Sequence, residues 1–350
     1  MDPFVFYTLP TPIVLSPWRL FVLYSIILVI DYVILRHPRR TTTVVWLVAL
    51  AHCVIPLSVV SSSQPLNIFF TAAPIYLASF TGHCDRHTLA SPQRWVYALA
   101  TDLVDPEQGG RVRLHGLAKM CRGAFKLSLL FTVLEPLWGA MGISPSVETL
   151  TLPWYHPWTL VYNLLLGITA YCLLGTVDVF LGLEQAVAGV RFMDLFEAPI
   201  LASSPRDFWS RRWNRVVRRQ FHGQVFMPKE NNKEKRNLQP RGGFWGSRNG
   251  RGLIVFMLSG VLHELILWSN SREITLENFA FFTLHGVAVM VEANVTRHRP
   301  RPSNTLGLWG CRVAFLLFMT LTARLFVAPF LRHDFWTPLP LGFQKVPIPA

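Results

Sequence analysis

Long apolar runs separated by polar loops decide what this chain can fold into. An α-helix needs about 20 apolar residues to cross roughly 30 Å of hydrocarbon. Hydrophobic residues make up 51% of the 350 residues and charged residues only 15%, which excludes a soluble protein of this size. The alternation of a membrane barrel is absent, so the pattern predicts an all-α polytopic membrane protein with about eight transmembrane helices. The predicted spans are approximately 17–35, 44–60, 66–80, 124–142, 158–183, 251–268, 278–296 and 311–331.

Basic residues are concentrated in alternate loops. The formal net charge is +13, and the basic loops are 36–40, 81–123, 184–250 and 297–301. The loops between them contain a single arginine, Arg272. The positive-inside rule therefore predicts cytosolic basic loops and two lumenal or exterior termini. Because membrane topology explains most of this charge, we expect the lipid bilayer as a partner and no nucleic acid.

The cysteine pattern bears on disulfides and metal sites, and the N-terminal sequence bears on whether the first helix is cleaved. Five scattered cysteines show no CxxC and no zinc-like spacing, so we expect neither a disulfide framework nor a metal site. No basic segment precedes the first apolar stretch, so the first helix should be retained. No internal repeat is evident, and 1–350 is predicted to be a single membrane-embedded domain. Its long cytosolic loops are 81–123 and 184–250, the latter polar, Gly-rich and predicted to be flexible after Met227.

Two ionisable residues, His263 and Glu264, lie inside the apolar run 251–268. A charged residue at the centre of a span costs about 2.5 to 3.5 kcal/mol on insertion scales, so such residues usually have a function. The alternative is a neutral imidazole satisfied by a neighbouring helix, with Glu264 paired to an arginine. Since adjacent helical residues point about 100° apart, we expect Glu264 to support the site rather than contact His263.

The segment 204–221 combines tryptophans with arginines. A proline and Asp207 at its start indicate a helix N-terminus. Helical spacing places Trp209 and Trp213 on one arc with Asn214 at its border, which predicts an amphipathic helix at a membrane surface. A lipid-facing anchor helix would give the same pattern, so spacing alone leaves the role of Asn214 open. The opposite face holds Arg211, Arg212, Arg215, Arg218 and Arg219.

Two motifs in fixed order carry a family resemblance. The string DFWSRRWN (207–214), preceded by LFEAPILASS (195–204), is followed by LHELILW (262–268). Together they resemble the wax synthase-like branch of the membrane-bound O-acyltransferase superfamily. That resemblance implies an intramembrane reaction tunnel and transfer of an acyl group from acyl-CoA to a hydroxyl. The histidine of the family falls on His263 and its loop asparagine on Asn214, as the catalytic residues.

The residue types suit the chemistry that the resemblance implies. A neutral histidine can take the proton of an attacking alcohol, an effect worth typically 10²- to 10⁴-fold. Asn214 can orient the thioester or donate to the developing oxyanion, and arginines suit the phosphates of CoA, which is a co-substrate rather than a bound cofactor. The residues expected to bind substrate are Asp207, Trp209, Arg212, Trp213 and Glu264, and those expected to bind CoA are Arg211, Arg215 and Arg218.

Several functions stay open at this point. The resemblance extends to fungal secondary-metabolite acetyltransferases, which favours transfer from acetyl-CoA to a lipophilic terpenoid or meroterpenoid alcohol in the endoplasmic reticulum. The alternative within the class is a long-chain-alcohol O-fatty-acyltransferase, a wax synthase. Outside the class, a transporter could use His263, Glu264, His285 and Glu292 as a path, although transporters usually show a repeat. An inactive scaffold is a third possibility. An acyltransferase needs Asn214 and His263 to face one tunnel open to the cytosol.

Overall fold

A computed structural model gives the fold of the chain over most of its length. The described residues fall into two compact units. The His263 unit comprises the described residues of 2–102 and 220–286, and the Asn214 unit those of 103–219 and 287–337. The prediction of a single domain stays a prediction. The structure describes residues 5–37, 41–83, 87–101, 103–105, 110–141, 147–219, 243–296 and 304–333.

Helices account for most of the described residues. In chain order the labelled helices are α1 (Pro17–Leu35), α2 (Thr42–Ser58), α3 (Gln64–His83), α4 (Pro92–Thr101), α5 (Val112–Leu129), α6 (Glu135–Ala140), α7 (Pro157–Leu173), α8 (Gly175–Ala188), α9 (Pro205–Asp207), α10 (Gly243–Gly246), α11 (Arg248–Ser271), α12 (Glu277–Val295) and α13 (Thr305–Arg332). A further helical segment covers 215–219. Single 3₁₀ turns lie at Thr88–Ala90, Val147–Leu150 and Pro199–Leu201, and π-helical turns at Leu130–Leu134 and Phe208–Arg212.

The described residues of every predicted span lie mainly in helix, and the prediction of an all-α polytopic membrane protein is confirmed. The span predicted at 44–60 is shorter, because α2 ends at Ser58 and β3 follows. The span predicted at 124–142 is the end of α5, the π-helical turn and α6, while the span at 158–183 is α7 and α8 meeting at Leu174. The predicted flexible portion after Met227 falls largely outside the described residues. Among those described, the helices long and apolar enough to cross a membrane are Pro17–Leu35, Pro157–Ala188, Arg248–Ser271 and Thr305–Arg332.

Buried polar contacts hold α11 in the His263 unit. Helix α11 packs against α2 and α3, and Nδ2 of Asn67 donates to Oδ1 of Asn270 at 3.3 Å. The hydroxyl of Thr71 donates to that of Ser269 at 3.1 Å. Polar pairs of this kind contribute to helix association in lipid, where the hydrophobic effect between helices is absent. The α3–α11 contact therefore has a defined register near the C-terminal end of α11.

Short strands tie the N-terminal segment to the same unit. Strand β1 (Tyr7–Thr8) pairs antiparallel with β4 (Glu273–Ile274), and β2 (Ile13–Leu15) pairs parallel with β3 (Val59–Ser61). Arg272, the only basic residue of the weakly charged loops, is buried and donates Nη2 to the carbonyl of Pro10 at 2.6 Å. Its role is thus to fasten the N-terminal segment to the end of α11.

Glycines allow a close approach of two helices in the Asn214 unit. A Cβ atom added at Gly123 of α5 would lie 2.5 Å from the carbonyl oxygen of Gly175. One added at Gly116 would lie 2.8 Å from that of Gly182 in α8. Small residues at such positions let helix backbones pack against each other in membranes. Since α5 begins at Val112, the second part of the basic 81–123 loop is already helix and belongs to this pair.

Candidate active site

The prediction of one continuous amphipathic helix over 204–221 is wrong for the residues that the structure describes, 204–219. The chain forms α9, capped by the Ser204 hydroxyl, which accepts from the Asp207 amide at 3.1 Å. A π-helical turn follows at Phe208–Arg212. Trp213 is then extended, with φ −111° and ψ 129°, and Asn214 is left-handed with φ 42°. A new helix covers 215–219. The helical-wheel positions derived from a continuous helix therefore do not apply beyond the π-helical turn.

Arg212 and the backbone around it make contacts with residues 195–198 at the point where the π-helical turn ends. Nε of Arg212 donates to Oδ2 of buried Asp207 at 2.9 Å, and its Nη1 donates to the carbonyls of Glu197 and of the following alanine at 3.2 Å. Backbone hydrogen bonds also join residues 195–197 to residues 212–215. A continuous helix would need those backbone groups for its own i to i−4 bonds. Asp207 and Arg212, expected to bind substrate, thus hold the turn in shape.

Asn214 caps the helix that follows it. Its Oδ1 accepts from the Val217 amide at 3.2 Å, as an N-cap side chain does. Asparagine tolerates the left-handed conformation better than most residues, so the residue type fits both the backbone and the cap. Because the oxygen faces Val217, the Nδ2 group is the part of this side chain that is directed to other partners.

Aromatic rings pack the motif into the Asn214 unit. Phe208 stacks on Trp213 with ring centroids 5.2 Å apart and lies 5.5 Å from Phe315 of α13. Trp209 meets Phe208 edge-on at 5.0 Å, and Phe196 lies 4.8 Å from Trp213. Aromatic pairs in such geometries add stability beyond their buried area. Both tryptophans are therefore partly buried and pack against the core cluster of Ala202, Phe208 and Phe315.

The arginines divide into two groups. Arg219 donates to the carbonyl of Val104 at 3.3 Å, so it is used within the fold. Arg215 lies 3.8 Å from the carboxylate of Glu197, which is 65% exposed. Partial burial, with the like charges of Arg215 and Arg211, lowers the pKa of the Arg218 guanidinium. Arg211, Arg215 and Arg218 thus form a patch of positive potential that an anion would stabilise.

His263 is half-buried in α11, and its ring is oriented by its own helix. Nδ1 lies 2.8 Å from the carbonyl oxygen of Ser259, one turn earlier. A carbonyl can only accept, so Nδ1 carries the proton and, in the neutral ring, Nε2 is the accepting nitrogen. The ring of Phe282 lies 4.4 Å from the imidazole, with an interplanar angle of 35°. The arrangement fits a ring that receives a proton at Nε2.

Glu264 holds two helices together. Its side chain is almost completely buried; one carboxylate oxygen accepts from the Phe279 amide at 3.0 Å and the other from Nε1 of Trp268 at 2.8 Å. Phe279 lies in the first turn of α12, where a negative charge is favoured by the helix dipole. The residue expected to bind substrate therefore positions the segment of α12 that carries Phe282.

Sequence reasoning missed the carbonyl of Ser259 and the residues that brace the DFW motif. Every helical residue has a carbonyl one turn earlier, so no sequence signal marks Ser259. Asn214 and His263 belong to different units, and the prediction that they face one tunnel stays a prediction. In the part of the chain that the structure describes, no three His, Cys, Asp or Glu side chains are grouped as metal ligands.

Comparison with known proteins adds to this geometry. Residues 192–284, which include both motifs, match the model of the "Membrane bound O-acyl transferase family". The chain is 33% identical over 158 residues to "Probable long-chain-alcohol O-fatty-acyltransferase 2" of Arabidopsis thaliana, covering 45% of this chain and 44% of that protein. It is 33% identical over 178 residues to "Probable long-chain-alcohol O-fatty-acyltransferase 1" of the same plant, covering 48% and 49%.

A third relative comes from another plant. "Long-chain-alcohol O-fatty-acyltransferase" of Simmondsia chinensis is 31% identical over 116 residues, 33% of this chain and 32% of that protein. The matched regions thus span about half of these relatives' lengths or less. The resemblance is thus confirmed over the segment that carries both motifs: residues 192–284 match the family model, and the relatives are long-chain-alcohol O-fatty-acyltransferases by name.

Proposed function

We propose that the protein is an acyl-CoA-dependent O-acyltransferase of the endoplasmic reticulum membrane that esterifies a long-chain, lipophilic alcohol. The observation that carries the proposal is the His263 ring, whose Nδ1 is engaged by the Ser259 carbonyl so that Nε2 is the basic nitrogen. The family match over residues 192–284 and the names of the relatives support acyl transfer to an alcohol.

The reaction proceeds by direct attack of the alcohol on the thioester. As the hydroxyl oxygen bonds to the thioester carbonyl carbon, Nε2 of His263 accepts the hydroxyl proton. The tetrahedral intermediate then collapses with cleavage of the carbon–sulfur bond, and the imidazolium returns the proton to the departing CoA thiolate. The products are an ester and CoA with a free thiol. Atoms and charge balance without a covalent acyl-enzyme.

Asn214 serves the same reaction as a hydrogen-bond donor. Its Oδ1 is held by the Val217 amide, which leaves Nδ2 to donate to the thioester oxygen as negative charge develops there. A preorganised donor of this kind is worth about 10²- to 10³-fold in kcat. Its left-handed backbone and the hydrogen bond from the Val217 amide keep that donor in one orientation.

The arginine patch binds the CoA portion of the donor. The charges of Arg215 and Arg211 disfavour the charged form of Arg218, and the phosphates of CoA would offset that effect through charge-assisted hydrogen bonds. The cytosolic side assigned to the 184–250 loop by its charge agrees with the cellular location of CoA thioesters. The proposed partners are thus the bilayer, acyl-CoA and an alcohol acceptor.

The acceptor and the donor chain are drawn from the relatives. The expectation of acetyl transfer to a terpenoid or meroterpenoid alcohol rested on a wider resemblance. The relatives described above are long-chain-alcohol O-fatty-acyltransferases by name. We therefore favour a fatty acyl donor and a fatty alcohol, and acetyl transfer becomes the other outcome of the test.

The test is an assay with microsomes that contain the expressed protein. Radiolabelled palmitoyl-CoA and acetyl-CoA are each offered with a panel of fatty and terpenoid alcohols. We expect palmitoyl transfer to a fatty alcohol that is lost in His263→Ala and kept in His115→Ala, a change of an exposed histidine in α5. Acetyl transfer to a terpenoid alcohol would restore the first expectation. Full activity in His263→Ala would overturn the mechanism.

A further inference from the structure

A buried lysine in α5 has no part in the reaction described above. The Lys126 side chain is almost fully buried, and its Nζ lies 2.7 Å from Oδ2 of Asp178 in α8, which is also buried. Arg122 donates to the same carboxylate at 3.2 Å. Burying a lysine costs several kcal/mol before pairing is counted, and Arg122 already supplies Asp178 with a cation. Neutralisation of Asp178 alone therefore does not account for the burial of Lys126.

The second partner of Lys126 is aromatic. Its Nζ lies 4.1 Å from the ring centroid of Tyr171 and 5.7 Å from that of Phe196. The two rings meet edge-on at 6.1 Å. A desolvated cation over aromatic faces gives a stronger attraction than the same pair in water. Lys126 therefore fixes the position of Phe196, which is the second residue of the LFEAPILASS string.

Phe196 in turn contacts Trp213, the residue before Asn214. Its ring lies 4.8 Å from that of Trp213, and Trp213 also stacks on Phe208. Trp213 immediately precedes Asn214, whose backbone is left-handed. Packed side chains thus connect Asp178 to the residue before Asn214: Lys126 contacts both Asp178 and Phe196, and Phe196 contacts Trp213.

The same helix, α5, also holds the segment that precedes Phe196. Nζ of Lys119 donates to the carbonyl of Phe192 at 2.9 Å, and Arg122 donates to Asp194 at 2.7 Å. Residues 192–194 are therefore fixed to α5 one step before Phe196. Lys126 continues that row of basic residues along α5, but it contacts the aromatic side chain instead of the backbone or an acid of the loop.

We propose that Lys126 is a positioning residue that holds Asn214 in its left-handed turn through Phe196 and Trp213. This inference rests on the proposed function, since it takes Asn214 as the donor to the reacting thioester. The competing explanation is that Lys126 only joins α5 to α8 through Asp178. The two explanations differ in what happens at residues 213–218 when the cation is removed.

The first experiment is hydrogen–deuterium exchange on the full-length protein in lipid nanodiscs. The amides of Trp213, Arg215 and Val217 are each hydrogen-bonded in the structure, the last to Oδ1 of Asn214. We expect Lys126→Met to accelerate exchange in peptides covering 213–218 by about tenfold, and Lys126→Arg, which keeps the cation, to leave it within about twofold.

A double-mutant cycle separates positioning from general loss of stability. Phe196→Leu keeps Lys126 and should accelerate the same peptides, and the double variant should be no faster than the faster single variant, because both changes cut one path. Asn163→Leu is the matched control: it removes the buried hydrogen bond from Asn163 to the carbonyl of Thr320 in the same unit. It should leave exchange at 213–218 unchanged.

Three results would overturn the inference: unchanged exchange in Lys126→Met, additive effects of Lys126→Met and Phe196→Leu, or equal acceleration in Asn163→Leu. Acyl transfer is measured on the same samples. We expect kcat of Lys126→Met to fall about tenfold with KM for acyl-CoA within about twofold. A wild-type protein without acyl transfer would overturn the proposed function, while the exchange measurements would still decide whether Lys126 positions Asn214.

Discussion

The Nδ1 atom of His263 lies 2.8 Å from the carbonyl oxygen of Ser259, so one helix both carries the imidazole and sets its tautomer. That carbonyl also belongs to the helical backbone, which means that removal of the imidazole leaves every backbone hydrogen bond of α11 in place. A loss of activity in a His263 variant can therefore be separated from a loss of structure.

His263→Ala should lower kcat by about 10²- to 10⁴-fold, the usual contribution of a general base. Thermal unfolding in detergent should shift by only a few degrees, since the side chain is half-buried and its hydrogen bond to Ser259 lies within its own helix. Steady-state kinetics and a melting curve on the same preparation check both statements. A large fall in the melting temperature would point to a structural role for the imidazole instead.

Asn214→Asp should separate the two functions of the asparagine. Aspartate also tolerates the left-handed backbone and can accept from the Val217 amide, so stability should stay within about 0.5 kcal/mol of wild type. The donating Nδ2 is replaced by a carboxylate oxygen, and we expect kcat to fall about 10²- to 10³-fold. Asn214→Ala, in contrast, should lose both activity and about 1 to 2 kcal/mol, through the cap and the strained backbone.

Glu264→Gln should destabilise the His263 unit. The carboxylate accepts from two N–H groups, whereas an amide offers one acceptor and turns its own N–H groups toward the other donor. A buried donor left without an acceptor costs about 1 to 3 kcal/mol. Thermal unfolding checks the loss, with Glu184→Gln on the exposed side of α8 as the control. Equal melting temperatures for the two variants would contradict the tethering role.

Arg218→Gln should raise KM for acyl-CoA about tenfold, the effect of removing one charge-assisted hydrogen bond to a phosphate. The wild-type KM should also rise with salt, because exposed charge attraction is screened. Arg113→Gln, which removes an arginine from α5, is the matched control and should leave KM within about twofold. An unchanged KM in Arg218→Gln would remove this residue from the CoA site.

Asp194→Asn should lower stability at neutral pH but not in acid. Burial alone would raise the pKa of Asp194, but the hydrogen bond from Arg122 and the charge of Lys119 lower the pKa overall. A carboxyl with a lowered folded-state pKa stabilises the fold above its unfolded pKa of about 3.9, and that contribution is lost as pH falls through the folded-state pKa. Since the side chain is 36% exposed, we expect at most about 1 kcal/mol at pH 7. Denaturation curves should show a difference in the free energy of unfolding between wild type and Asp194→Asn at pH 7, and no such difference in acid.

The helices could be predicted from the sequence because a membrane span is a local property. The run 251–268, for example, is long and apolar enough to specify α11 without reference to the rest of the chain. The two long loops were harder, since α4 and the start of α5 lie within 81–123 and carry too many polar residues to be recognised as spans.

The DFW segment shows the limit of pattern-based reasoning. Helical spacing placed Arg212 with the other arginines, yet its partners are Asp207 and the carbonyls of residues 197–198. Backbone hydrogen bonds to residues 195–197 end the helix there. The periodicity of a sequence does not predict contacts between a helix and the loop that precedes it, such as those of Arg212 with residues 197–198. The sequence named His263 and Asn214 through their residue types and motifs, but the tautomer of one and the backbone of the other depend on contacts that only coordinates reveal.

The glycine contacts between α5 and α8 set limits on how this protein can be engineered. Even one methyl group at Gly123 or Gly182 would collide with the facing backbone. Such a substitution would push α5 and α8 apart and disturb the contacts that α5 makes with residues 192–196. A mutant library aimed at a new alcohol or a shorter acyl chain should keep Gly116, Gly123, Gly175 and Gly182 constant. Its diversity is better placed on residues that do not brace this helix pair.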